Sequence, residues 1–113
     1  MGTQKQTGGI PPATAIRLAD LVDYQPGSIV SRTLTNTPVG TLTLMAFDEG
    51  QGLSEHSAPY DAYVTAQDGV GELVIGGVPV TCKAGETVLM PANVPHAVNA
   101  RQRFKMLLTM IRG

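Results

Sequence analysis

The sequence contains few cysteines, few aromatic residues and little charge. Its 113 residues include one cysteine and no tryptophan, and 15% of its side chains are charged. The single Cys82 excludes an intrachain disulfide. Eight basic and nine acidic residues give a net charge of −1, and neither sign forms a run. The sequence therefore lacks the basic patch that nucleic-acid binding or an anionic membrane surface would favour.

Long apolar runs are missing as well. No stretch approaches the roughly 20 apolar residues that a membrane-spanning helix needs. The N-terminus lacks the charged and then apolar pattern of a secretion signal. We therefore expect a cytoplasmic protein that does not enter a membrane. Apolar residues make up 42% of the chain, which is enough for a folded domain with one modest core.

The chain divides into a short arm and one domain. Residues 1–14 are polar and then rich in Gly and Pro, so we predict a flexible N-terminal arm that frays or lies on a neighbour. Residues 15–113 are predicted to form the domain. Within it, the apolar residues of 15–24 fit either one or two helical turns or an edge strand, and their spacing does not decide between these.

From Ser28 onward, β-branched residues and period-two alternation indicate strands. We predict about eight of them, at 28–35, 41–47, 56–67, 69–75, 78–83, 87–90, 96–100 and 104–111. Gly76 and Gly77 fit a two-residue hairpin turn, because both can take a positive φ. The pattern predicts an all-β sandwich, barrel or jelly roll. The final strand is apolar on both faces, which predicts a homodimer with this strand or the arm at its interface.

The stretch GETVLMPANVPHAVN, residues 85–99, predicts a rigid corner. Pro91 and Pro95 exclude a helix and remove two backbone donors, so the chain must bend. Asn93 lies between them and tolerates the positive φ of a tight turn. This corner would hold His96 in a fixed direction.

His56 and His96 are the only histidines, 40 positions apart. Each follows a turn-rich stretch at a predicted strand start, and antiparallel folds bring such positions together at one mouth of a barrel. Two imidazoles meeting there would begin a metal site. Asp61 would complete a two-histidine, one-carboxylate set that suits divalent iron, manganese or zinc. The alternatives are hydrogen-bonded structural histidines and a turn carboxylate in solvent.

Two motifs resemble those of the cupins. The stretch GQGLSEHSAPYDAYVTAQDG, residues 50–69, is similar to the first cupin motif, in which a Gly precedes a His-x-His pair, a Glu and a Gly. Gly85 followed by PANVPH at 91–96 is similar to the second motif. The resemblance covers about residues 28 to 112. It implies a small single-domain cupin, a double-stranded β-helix or jelly-roll barrel that often pairs as a dimer.

The sequence departs from the family motif at two of four expected metal ligands. Ala58 occupies the second His position, and the Glu position falls on or near Tyr63. Only His56 and His96 match. The resemblance therefore implies a divalent ion (Fe, Mn, Zn or Ni) that is weakly held or absent.

We expect Tyr63 to form part of the wall of a ligand pocket. Met45, Met90 and Met106 are either core residues or an adaptable apolar wall for the ligand. The predicted function is binding of a small molecule in the barrel mouth, and the alternative is a metal-dependent enzyme, of oxygenase or isomerase type, acting on a small organic substrate. The substrate is not identified by the sequence.

Overall fold

A computed structural model describes residues 2–6 and 9–112 of the chain. The all-β prediction is confirmed. The strands are β1 (Gly2–Gln6), β2 (Ser28–Thr37), β3 (Gly40–Phe47), β4 (Gly52–His56), β5 (Ala62–Ile75), β6 (Val78–Lys83), β7 (Thr87–Met90), β8 (His96–Asn99) and β9 (Phe104–Ile111). Over the described residues, no helix is long and apolar enough to cross a membrane.

Strand β5 joins two curled sheets. Its first half pairs with β7 and β9, and its second half with β6 and β8. The change of partners follows a register shift between Ala66 and Asp68, next to Gly69, which has φ +70°. A side chain at Gly69 would collide with the backbone oxygen of Arg103. Only glycine therefore suits this bend, at which β5 passes from one sheet into the other.

The strands of the structure differ from the predicted strands in three places. Residues 56–67 and 69–75 form one strand over Ala62–Ile75 instead of two, because the bulge bends the ladder without ending it. The predicted loop at 36–40 is mostly part of the β2–β3 ladder, which runs to the pair Thr37 and Gly40. Strand β4 lies in a polar stretch without period-two alternation and is stabilised by pairing with β8.

The hairpin at Gly76 and Gly77 is confirmed. These residues have φ values of 58° and 82°, and they join β5 to β6 with Ile75 opposite Val78. Positive φ at both central positions is what a two-residue turn of this type requires.

The main core fills the barrel. The rings of Phe47 and Phe104 stack at 4.7 Å between centroids, and both side chains are fully buried together with Leu73 and Val64. Cys82 belongs to the same core, as expected for a small apolar residue. A small cavity lies beside this core at the end of the barrel where the histidines lie.

A second apolar cluster covers the outer side of β2 and β3. It is built on Val22, Val30 and Leu44. Residues 15–24, whose structure the sequence left open, contain one short 3-10 helix, Leu18–Leu21, that packs on this cluster. Leu107 of β9 also packs here. One of the two apolar faces of the last strand is therefore partly covered within the chain itself.

The N-terminal segment contains β1. This strand runs parallel to β2, from Gly2 opposite Ser28 to Gln6 opposite Arg32. Residues 1, 7 and 8 of the predicted arm lie outside the described residues. The division of the chain at residue 14 stays a prediction.

Candidate functional site

The corner before His96 is fixed by backbone hydrogen bonds. The Val94 N–H donates to the Pro91 carbonyl at 3.3 Å, and the Asn93 N–H donates to the Ala58 carbonyl at 2.7 Å. Asn93 has φ 66°, which confirms the predicted left-handed conformation. The turn therefore ties the start of β8 to the loop between β4 and β5.

The two histidines meet across neighbouring strands. His96 begins β8, as predicted, and is paired with His56 in the β4–β8 ladder after a register shift. His56 ends β4, so its predicted place at a strand start was wrong. His96 is 5% exposed, whereas His56 is exposed. One imidazole thus lies inside the barrel mouth and the other closes it from the solvent side.

Their rings touch through the Nε2 atoms, which are 3.2 Å apart. The ring planes make an angle of 74°. The Nδ1 of His56 lies 2.8 Å from the Ser54 carbonyl oxygen, and the Nδ1 of His96 lies 3.2 Å from the Val94 carbonyl oxygen. Because a carbonyl only accepts, each Nδ1 must carry the proton in these bonds. These contacts assign the tautomers.

This tautomer assignment has a direct chemical consequence. With both Nδ1 protons engaged, two neutral rings would place two Nε2 lone pairs against each other. The pair is favourable only when a proton is shared between the Nε2 atoms, or when a cation or another donor takes both lone pairs. The pair therefore either shares one proton between its Nε2 atoms or accepts a cation or another donor there.

The buried ring is the one held neutral. Burial lowers the pKa of His96, and the neighbouring His56 lowers it further, while the hydrogen bond to the Val94 carbonyl opposes both effects. A neutral His96 with its Nδ1 proton donated to a carbonyl keeps the Nε2 lone pair available near pH 7.

An apolar cavity of about 80 Å³ adjoins the imidazoles. Its lining residues are Leu53, His56, Ala58, Ala62, Met90, His96, Val98, Met106, Leu108 and Met110. Met90 and Met106 were predicted here and do line the cavity. Met45 was also predicted but does not line the cavity; it is packed in the core, on β3, opposite Met106. Leu53 of β4 and Val98 of β8 also line the cavity but were not predicted from the sequence. They reach it because the two residues pair in the β4–β8 ladder.

Tyr63 does not reach this cavity. Along β5, Ala62 and Val64 point into the barrel and are buried, so the alternation sends Tyr63 outward, where it is 37% exposed. It lines a shallow surface pocket of about 480 Å³ together with Tyr60, Asp61 and Arg112. The structure therefore does not bring Tyr63 to the histidines, because its position falls on the outer face of β5.

Asp61 does not join the histidines either. Its Oδ1 accepts a hydrogen bond from the Ala92 N–H at 2.9 Å, and its side chain faces the surface pocket. Asp61 therefore supports the corner that positions His96. Among the described residues, no group of three or more His, Cys, Asp or Glu side chains is placed to hold a metal ion.

The fold and the motifs place the chain in a family. The model of the cupin domain matches residues 43–111, more than half of the chain. This protein belongs to the cupin family. The match includes both stretches that carry the histidines. A search among curated proteins finds no match.

Solved structures agree with this assignment. A conserved protein of unknown function from Streptococcus pyogenes is 33% identical, with a TM-score of 0.88 over 93% of this chain and 92% of that one. A cupin 2 conserved barrel domain protein from Leptotrichia buccalis is 45% identical, with a TM-score of 0.83 over 85% of this chain but 47% of that one. The present chain therefore spans about half of the Leptotrichia protein.

A more distant structure shows the same fold. A cupin superfamily protein from Desulfitobacterium hafniense is 21% identical and has a TM-score of 0.87 over 93% of this chain and 96% of that one. The barrel is thus shared well beyond the range of close sequence similarity.

Proposed function

We propose that this cupin binds a small molecule in the barrel mouth, with His56 and His96 as its polar anchor. The observation that carries the proposal is the pair of Nε2 atoms 3.2 Å apart beside an apolar cavity. Both Nδ1 atoms face carbonyls. A ligand hydroxyl or N–H, or a metal ion that itself holds the ligand, would satisfy the Nε2 lone pairs.

The size and lining of the cavity limit the ligand. A volume of about 80 Å³ is well below the roughly 300–1,000 Å³ of pockets that hold drug-sized ligands. The ligand is therefore very small, or it inserts one small end while the rest lies over the mouth. Apart from the imidazoles, the lining side chains are aliphatic or thioether, so the inserted end is mainly apolar with one polar group.

A divalent ion fits the imidazole pair only in part. Zinc–imidazole bonds of roughly 2.0–2.1 Å place two nitrogen ligands about 2.9 Å apart at a right angle and about 3.4 Å apart in a tetrahedron. The observed 3.2 Å lies between these values. With two protein ligands the affinity is weak, and it falls at low pH because protonated imidazole does not bind metal.

The second candidate is a metal-dependent enzyme acting on a small organic substrate. It is favoured by one observation, the engagement of both Nδ1 atoms by the carbonyls of Ser54 and Val94. Metal-binding histidines typically donate their other N–H to such a group, which fixes the ring orientation. A bound ion would supply Lewis-acid chemistry, and His56 and His96 would hold it.

Methionine-methyl NMR tests the binding proposal. Small fragments that carry one apolar end and one polar group are added to protein labelled at the methionine methyl groups. We expect a binding fragment to shift the signals of Met90, Met106 and Met110, which line the cavity, more than the signal of Met45, which does not. Fragments that perturb only the outer pocket near Tyr63, or that leave the cavity methyls unchanged, would contradict the proposal.

Calorimetric titration tests the metal. Zinc(II), iron(II), manganese(II) and nickel(II) are each titrated into the wild type and into His96→Ala, after purification without an affinity tag. We expect weak binding by the wild type and none by the variant. Stoichiometric metal that survives extensive dialysis would refute the weak-site claim, and equal binding by His96→Ala would show that the histidines are structural.

A further inference from the structure

Thioether side chains share the cavity with the imidazole pair. Met90, Met106 and Met110 all line it, and its lining contains no carboxylate and no thiol among the described residues. Met90 and Met106 are 3% and 1% exposed. These two side chains are therefore almost completely shielded from solvent.

The strand ladders gather these side chains at one place. Met90 and Met110 stand opposite Ala62 on its two sides. Met106 lies four residues before Met110 on β9, on the same inner face. Met90 also directly precedes the corner that leads to His96. Three methionine side chains and both imidazoles thus line one cavity of about 80 Å³.

This ligand set differs from the one that the family resemblance implies. The expected third His and the Glu are replaced by Ala58 and by the outward-facing Tyr63, and Asp61 is bonded to the backbone of Ala92. No hard anionic oxygen ligand remains at the histidines among the residues that line the cavity. Manganese(II) favours such oxygens, imidazole suits zinc, iron, nickel and copper, and soft thioether sulfur selects copper(I).

The charge of the ion and the cost of removing it from water also favour a monovalent metal. All ligands here are neutral, so a divalent ion would keep its full double charge beside an apolar cavity, which is costly. A monovalent ion carries half that charge. Copper(I) also accepts few ligands, so that two imidazoles and one thioether complete its shell without a carboxylate.

We propose that His56, His96 and at least one of Met90, Met106 and Met110 form a site for a soft monovalent metal ion, copper(I). The proposal rests on the same imidazole anchor as the proposed function and replaces the hard divalent ion with a soft one. It involves no redox step, since the metal is bound as copper(I).

The first test is anaerobic titration of the full-length protein with copper(I) against a chromophoric copper(I) chelator. The variants are Met90→Leu, Met106→Leu, Met110→Leu and the triple combination, because leucine keeps the apolar volume and removes the sulfur. Met45→Leu is the matched control, since Met45 is 8% exposed in the same core but does not line the cavity.

We expect the triple variant to lose copper(I) affinity by at least about tenfold, the lower end of the effect of even indirect partners of a metal. Met45→Leu should bind as the wild type does. Zinc(II) binding should be weak and the same in all of these proteins. Equal copper(I) affinity in the wild type and the folded triple variant would overturn the proposal, as would tighter binding of zinc(II) than of copper(I).

X-ray absorption of the copper(I)-loaded wild type provides a second measurement that needs no variant. We expect a sulfur scatterer in addition to imidazole nitrogens, and a shell of nitrogen and oxygen alone would contradict the proposal. If the wild type binds small fragments but not copper(I), only the metal proposal is rejected. If the wild type binds neither fragments nor copper(I), the role of the imidazole pair as an anchor is rejected as well.

Discussion

The carboxylate of Asp61 and the backbone of Ala92 hold together the two loops that frame the histidines. Asp61 Oδ1 accepts the Ala92 N–H at 2.9 Å, and the adjacent Asn93 N–H donates to the Ala58 carbonyl at 2.7 Å. The corner before His96 is thus bonded to the segment that follows His56. The mutual position of the two imidazoles depends on this pair of bonds.

Asp61→Ala should lower the free energy of unfolding by about 1–2 kcal/mol, because the Ala92 N–H loses a charged acceptor at an exposed site. Asp61→Asn keeps an acceptor oxygen and should lose less. Urea unfolding measures both, with Asp23→Ala as the control at an exposed aspartate. Equal stability of Asp61→Ala and the control variant would show that the bond does not hold the corner.

Asn93→Gly should be tolerated, whereas Asn93→Val should destabilise the protein by roughly 1–2 kcal/mol, the cost of a β-branched residue in the left-handed region. The reason is the φ of 66° at this position. Thermal melting of the two variants beside the wild type is the measurement. If the two variants have the same melting temperature, the turn does not depend on a positive φ at Asn93.

Tyr24 should make stability depend on pH in the alkaline range. Its hydroxyl donates to Asp68 at 2.6 Å. Burial raises its pKa above the usual value, and the hydrogen bond and negative charge of Asp68 raise it further, while Arg103 opposes them. A raised folded-state pKa stabilises the protein fully below the unfolded value near pH 10, and this stabilisation is lost as the pH rises above it.

The stability advantage of the wild type over Tyr24→Phe should therefore shrink as the pH increases above about 10. Urea unfolding of both proteins between pH 8 and pH 11 would measure it. A stability difference between the two proteins that stays constant over this range would contradict a raised pKa of Tyr24 in the folded state. Absorbance at 295 nm should show that Tyr24→Phe loses the most alkaline tyrosine transition.

The homodimer stays a prediction. Tyr63, Leu89 and Ile111 are 37%, 46% and 50% exposed, and Tyr63 stands opposite Leu89 on the outer side of the sheet. Sedimentation at micromolar concentration should show a dimer. Ile111→Asp on the last strand should weaken it by at least about tenfold, or 1.4 kcal/mol.

Val78→Asp is the control for the dimer, because Val78 is 61% exposed but lies on β6, in the other sheet. This variant should sediment as the wild type does. A monomeric wild type would refute the prediction, and an equal effect of Val78→Asp would place the interface elsewhere.

Features set by local chemistry could be predicted from the sequence. The glycine pair at 76 and 77 and the corner at Asn93 adopt the expected backbone conformations, because turn types depend on a few adjacent residues. Most strands fall near their predicted places, since alternation follows the pleat. The cupin resemblance is confirmed by the match to residues 43–111.

Other features were decided only by pairing between distant strands. The sequence did not reveal β4, the continuity of β5 through Gly69, or the outward direction of Tyr63. Strand β4 depends on its pairing with β8, and the continuity of β5 depends on the register shift in the β5–β9 ladder. Tyr63 points outward because its neighbours Ala62 and Val64 are buried. A shift of one residue exchanges the two faces of a strand. Tertiary pairing therefore decided that methionines, and not Asp61 or Tyr63, accompany His56 and His96 around the cavity.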